Sequence, residues 1–137
     1  MILIDSSVWI DWLRGADTGA VRFVQQREGS EELALTNIVF LEVLQGIRLD
    51  RQFALTRDVL AAQIMLTPRD GIETHKAAAQ LYRAARKKGL AIRKSSDCLI
   101  AAIAIEHDAL LVHNDRDFLA LAQAAPALQV FPGQRHH

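Results

Sequence analysis

Four acidic residues interrupt apolar runs where a lone charge is hard to accommodate. Asp5 ends Met1-Ile2-Leu3-Ile4, Glu42 lies inside the apolar run 38–44, Asp97 heads the apolar stretch 98–105, and Asp115 follows the apolar run at 110–112, with Asp117 two residues on. A carboxylate among apolar side chains is expensive to ionise, so several of them gathered together call for a cation. Oxygen-only ligands favour a hard ion such as Mg²⁺ or Mn²⁺, whereas zinc prefers His and Cys at short spacing, and this chain has no such cluster. The chemistry that suits an acidic centre of this kind is phosphodiester hydrolysis. A bound ion lowers the pKa of a water and offsets charge on the phosphorus centre and leaving oxygen, and a second ion about 3.5–4 Å away would clamp both oxygens. Taken singly, Asp5, Asp97, Asp115 and Asp117 also read as helix caps or turn residues, and Glu42 as a side chain reaching for solvent. Capping alone does not explain why acids recur at apolar boundaries along the whole chain.

To act together these acids must be brought to one place, and the pattern of elements supplies a way. Residues 1–5, 32–35, 110–113 and 128–131 read as short buried strands. Between them, Ser6 and Ser7 cap a helix to Leu13, a second helix starts near Thr18 and fades at Gly29, and Thr36-Asn37 caps a helix to about Gly46 that is apolar nearly all round and therefore expected to be buried. Residues 51–64 and 72–88 read as amphipathic helices parted by the breaker cluster 67–71, and Gly89 closes the second. Ser95-Ser96-Asp97 caps an apolar helix to about Glu106, and a short helix spans 117–123. Strands alternating with helical crossovers predict an α/β fold, an α/β/α sandwich around a mainly parallel sheet of four to five strands. In such sheets functional groups gather beyond the carboxyl ends of the strands, where Asp5 and the Asp115/Asp117 pair both fall.

With 137 residues, half of them hydrophobic, the chain has material for one core, and residues 1–133 read as a single domain. Residues 134–137, ending in His136-His137, read as an exposed tail of the kind a purification tag leaves, outside any metal site. Sixteen basic and sixteen acidic residues cancel, so no global charge marks a nucleic-acid binder. A single cysteine, Cys98, excludes an intrachain disulfide framework, and no leader-like or membrane-spanning run is present, which predicts a cytoplasmic setting. Positive charge is nevertheless local: residues 76–96 contain no acid but carry Lys76, Arg83, Arg86, Lys87, Lys88, Arg93 and Lys94. That stretch reads either as a solvated helix face or as a phosphate-binding rim, with Arg93 and Lys94, close to Asp97, the better RNA-binding candidates. Trp9, Trp12 and Phe53 read more readily as core than as a peptide groove. His75, His107 and Cys98 have no partner at catalytic spacing.

Four motifs, taken in order, carry a resemblance: Ile4-Asp5-Ser6-Ser7-Val8-Trp9-Ile10, Glu42-Val43-Leu44-Gln45-Gly46, Asp97-Cys98-Leu99-Ile100-Ala101-Ala102 and His113-Asn114-Asp115-Arg116-Asp117-Phe118. From residue 1 to about 133 the chain resembles PIN-domain toxins of the VapC type. The resemblance implies a PIN fold, Mg²⁺- or Mn²⁺-dependent endoribonuclease activity, homodimerisation, and inhibition by a cognate VapB-type antitoxin that also represses the operon. It makes Asp5, Asp97 and the Asp115/Asp117 pair metal ligands and has Glu42 help activate the nucleophile. Ser7 is similar to the family's small hydroxyl that orients the first Asp, and Asn114 is a supporting residue. Either Asp115 or Asp117 can be the fourth acid, the other serving as cap or outer ligand, and His113 stands where the family often has Thr. The competing readings are a magnesium phosphatase or phosphoacceptor domain, which lacks a second acid beside Asp5, a catalytically silent PIN-like module binding RNA or protein, and a DNA-cleaving relative.

Overall fold

The computed structural model describes residues 1–133, and the tail expected at 134–137 lies outside the described residues. The chain runs β1 (Ile2–Ile4), α1 (Ser6–Leu13), α2 (Gly19–Arg27), β2 (Leu33–Thr36), α3 (Asn37–Gln45), α4 (Asp50–Ala61), β3 (Ile64–Leu66), α5 (Gly71–Lys87), α6 (Ser95–Glu106), β4 (Leu110–Val112), α7 (Arg116–Ala124) and β5 (Val130–Phe131). The strands form one sheet in the order β3-β2-β1-β4-β5, every pairing parallel. Ile2 registers with Leu33 on one side and Leu110 on the other, so β1 is the central strand. Its three residues are all buried, as a strand covered on both faces must be. The helices pack into two groups, α1–α4 and α5–α7, around this sheet. No helix of the described residues is long and apolar enough to cross a membrane.

This topology places the site. From β1 the chain moves outward to β2 and β3, then returns to the far side of β1 to lay down β4 and β5. The direction of winding reverses between β1 and β4, and a crevice opens beyond the carboxyl ends of strands at such a reversal. Asp5 follows β1 directly, and its backbone N–H still donates to Val112 O at 3.0 Å, which holds it against the end of β4.

Several local expectations are corrected. The helix expected over 51–64 ends at Ala61, and Ile64–Leu66 is a fifth strand pairing with β2. Three residues are too short to show a period of two, and their apolar run merges with the helix pattern before it. Asp5, not Ser6 or Ser7, is the N-cap of α1, since Asp5 keeps an extended backbone and its carboxylate accepts from Ser7 N. Lys94 is the N-cap of α6 and makes no side-chain cap, so Ser95 to Asp97 are already helical. Helix α3 is buried on one face only: Val39, Val43 and Leu44 are in the core, but Leu41 is 59% exposed. A single helix laid on a sheet buries a stripe, whatever the composition of its outer face. Trp9 is buried and Trp12 stacks on it at 5.5 Å between ring centroids, whereas Phe53 stands 38% exposed on α4.

Beneath the crevice the core is closed by Phe118, fully buried on α7, with the His113 ring tilted against it. Phe118→Ala is expected to destabilise the protein by about 3–5 kcal/mol, because the cavity cannot collapse between α7 and the sheet. Urea denaturation at constant m-value checks this. A loss under about 1 kcal/mol would mean that α7 repacks freely.

Candidate metal centre

Each acid reaches the crevice by its own route. Asp5 comes from the end of β1, Glu42 from the second turn of α3, Asp97 from the first turn of α6, and Asp115 and Asp117 from the start of α7. Asp97 enters where the helix dipole favours a negative charge. Single ligand oxygens of Asp97, Asp115 and Asp117 lie within 4.8 Å of one another. Asp5 is outside that trio but acts electrostatically on Asp97 and on Glu42, and is itself acted on by Asp115.

The hydrogen bonds divide the acids by task. Ser7 Oγ donates to Asp5 Oδ2 at 2.9 Å, and Ser6 Oγ donates to Glu42 Oε1 at 3.4 Å. Asp115 caps α7 through Oδ1, which accepts from Asp117 N at 3.0 Å. Asp97 Oδ2 is buried with no hydrogen-bond partner among the described residues. A buried carboxylate oxygen left bare is among the costliest arrangements in a fold unless a cation meets it.

Electrostatics tell the same story. Burial, and then the Asp5 charge, push the Asp97 carboxyl up to about 7, with Lys94 opposing. Burial raises Asp5 against the Ser7 hydrogen bond, and burial followed by the Asp5 charge raises Glu42. The donor set is entirely oxygen, crowded, holds more acids than the cations Arg93 and Lys94 beside it, and is partly orphaned, and it fits a hard divalent ion.

The remaining candidates fall in different places. Arg93 lies against the acids: Nη2 donates to Asp115 Oδ1 at 2.8 Å and Nε to Asp117 Oδ2 at 3.1 Å. Lys94 Nζ stands 3.9 Å from Glu42. The amide of Asn114 turns away, donating to Asp11 Oδ2 at 3.2 Å. Elsewhere on the basic stretch, Lys88 bonds Gln123 O and Lys76 pairs with Glu73.

Two residues contribute in ways the sequence did not indicate. Ser6 bonds Glu42 across 36 residues of chain. His113, buried at the end of β4, accepts Asp115 N–H on Nδ1 at 3.1 Å and donates from Nε2 to Pro132 O at 2.9 Å. That pair of bonds sets a neutral Nε2–H tautomer, and burial lowers the ring's pKa. His113 therefore holds the turn that presents Asp115, at the position where the resemblance would often place Thr.

A PIN domain family model matches residues 2–124, nearly the whole sheet and all the acids. The chain belongs to the PIN domain family. Among curated relatives, a VapC ribonuclease of Mycobacterium bovis is 37% identical over 127 residues, covering 90% of this chain and 92% of the relative. Ribonuclease VapC19 of Mycobacterium tuberculosis is 34% identical over 119 residues, covering 86% and 92%. These place this PIN domain in the VapC group. Among solved structures, VapBC2 from Rickettsia felis, bound to a promoter DNA fragment, superposes with TM-score 0.70 at 20% identity, covering 95% of this chain and 97% of that one. VapBC-1 from nontypeable Haemophilus influenzae gives TM-score 0.71 at 21% identity, covering 95% and 96%. At that identity the likeness establishes the PIN fold.

Proposed function

We propose that this chain is the ribonuclease toxin of a toxin–antitoxin pair and cleaves RNA phosphodiester bonds with a divalent ion, Mg²⁺ or Mn²⁺, at the acidic crevice. The observation that carries the metal reading is the orphaned, buried Asp97 Oδ2 among acids brought in from four separate elements. Asp97, Asp115 and Asp117, with Asp5 beside them, are the residues that would hold the ion. When bound, such an ion acidifies a water and offsets the negative charge that builds on the phosphate oxygens. Ser7 fixes the rotamer of Asp5. His113 fixes the turn carrying Asp115, and the α6 dipole adds its field at Asp97. Glu42, half-buried and raised in pKa, is suited to take a proton from a water held beside it. Lys94, close to Glu42, supplies positive charge at the rim for the RNA backbone.

The toxin–antitoxin reading rests on the names of the relatives, VapC ribonucleases, and on the solved neighbours being VapBC complexes. It implies a VapB-type antitoxin and a homodimer as partners. Exposed Leu13 and Leu49 rim a cavity between α1 and the α3–α4 link, apolar surface that a partner would cover.

The test is cleavage of end-labelled single-stranded and hairpin RNAs, and of matched DNAs, by antitoxin-free protein in Mg²⁺, Mn²⁺ or EDTA. RNA is expected to be cut only when the ion is present, and DNA left intact. Ion binding without cleavage of any RNA would favour the catalytically silent module, and DNA cleavage would favour the DNA-cleaving relative.

A further inference from the structure

Arg93 occupies an unusual position for a residue of an RNA-facing rim. Its backbone N–H donates to Asp117 Oδ2 at 3.2 Å and its Nε to the same oxygen at 3.1 Å, while Nη2 reaches Asp115 Oδ1 at 2.8 Å. The guanidinium thus bridges two of the three carboxylates whose oxygens lie within 4.8 Å of one another. It takes one oxygen of each, and leaves the third acid, Asp97, with its bare Oδ2.

We propose that Arg93 is a resident counter-ion of this centre whose guanidinium a divalent cation must displace from Asp115 and Asp117, so that one side chain sets the ion concentration at which the site fills. The inference rests on the metal-centre reading above. Three features favour displacement over a fixed structural bridge. The Arg93 side chain is 56% exposed, so its head can leave without opening the core, while buried Ile92 anchors the backbone beside it. Asp117 keeps the Arg93 backbone N–H when the guanidinium goes, so the acid stays in place. A guanidinium and a divalent ion sharing the same carboxylates repel each other in a half-buried crevice where screening is weak.

The choice of Arg also decides what can operate the exchange. A guanidinium stays charged throughout the working pH range, so pH cannot release it, and only a competing cation can. Lys94 differs: its Nζ is 3.9 Å from Glu42 and, among the described residues, forms no ion pair with the trio, acting on Asp97 through space. It neutralises charge nearby without blocking a ligand oxygen.

Mn²⁺ binding to the metal-stripped full chain, followed by the EPR signal of free Mn²⁺, tests this in wild type, Arg93→Gln and Lys94→Gln. Arg93→Gln is expected to tighten Mn²⁺ binding by about 5–10-fold, the low end of ordinary coupling between sites. Lys94→Gln, which removes a charge that acts on Asp97 without occupying a ligand oxygen, should tighten it by less than Arg93→Gln does. Linkage requires the reverse effect as well. In wild-type protein the Arg93 Nε–H resonance, assigned by its loss in Arg93→Lys, should move toward solvent-exposed arginine values as Mg²⁺ is added. Equal or weaker Mn²⁺ binding by Arg93→Gln would overturn the proposal, as would an equal gain in Lys94→Gln or an unmoved Nε–H signal at saturating Mg²⁺. Absence of Mn²⁺ binding by every protein would overturn the metal centre itself, and this inference with it.

Discussion

Asp97→Asn is expected to make the metal-free protein more stable at pH 8 while cutting RNA cleavage by at least about 100-fold. The two effects have one cause. Asp97 is buried, its Oδ2 is bare, and its neighbours Asp5, Asp115 and Glu42 are acids whose charges all raise its pKa. The fold therefore tolerates the ionised carboxylate and does not profit from it. An amide of the same shape removes the charge and offers N–H donors to the surrounding carboxylates, for a gain of roughly 1–3 kcal/mol and a melting temperature higher by roughly 3–9 °C. At pH 5.5 the wild-type group, with its pKa pushed up to about 7, is already protonated. The unfolded chain still ionises this residue there, so the stability difference should narrow by about 2 kcal/mol from its value at pH 8 and close only below the ordinary carboxylate range, while the activity difference persists at every pH that permits cleavage. Asp58→Asn, at an exposed surface pair with Arg57, should alter neither quantity. Thermal melts in EDTA beside cleavage rates in Mg²⁺ measure both arms. A destabilised Asp97→Asn protein would make Asp97 an ordinary structural acid, and unchanged cleavage would remove it from the centre.

This opposition between stability and function explains what could be read from residues alone. Asp5, Asp97 and Asp115 stood out because each breaks a local rule, an acid at the boundary of an apolar run, and rules are broken where function needs it. The parallel sheet was legible because β1 and β4 are continuous apolar runs with acids at their carboxyl ends. β3 was not, because three residues carry no period and only pairing with β2 in the folded chain makes Ile64–Leu66 a strand. The cap of α1 was misread for a related reason. Asp, Ser and Ser are all good caps, and the choice of Asp5 follows from its backbone N–H being held by β4, a contact remote in sequence. The partners of the acids are likewise long-range: Ser6 to Glu42 and Arg93 to Asp117 join segments dozens of residues apart. Adjacency to Asp97 marked Arg93 as a basic residue near the site, but nothing local indicated that its guanidinium would lie on the carboxylates and not out toward a phosphate.

The same crowding predicts how the whole protein responds to pH and to metal. Asp5, Glu42 and Asp97 all have folded-state pKa values raised by burial, so the folded state holds these protons more tightly than the unfolded chain. Their contribution to stability is fully present below the ordinary carboxylate range and is lost as pH rises through the folded values. For Asp97, moving from 3.8 to about 7, the loss between pH 6 and pH 8 alone is about 1.4 kcal/mol, or roughly 4 °C in melting temperature. His113 works in the opposite sense: burial lowers its pKa, so it lowers stability only as pH falls below the ordinary histidine value. Metal-free protein should therefore melt highest near pH 6, lose several degrees by pH 8, and flatten above that. A divalent ion that binds the ionised acids inverts the slope. At about 100 times its dissociation constant it adds roughly 2.7 kcal/mol, and because it needs the carboxylates deprotonated, that gain should be full at pH 8 and shrink toward pH 6. Differential scanning calorimetry across this range, with EDTA and with Mg²⁺, gives two curves that converge at low pH and separate at high pH. Parallel curves would mean that the ion binds somewhere other than these acids, and a metal-free curve rising from pH 6 to pH 8 would mean that their charges are already compensated within the chain.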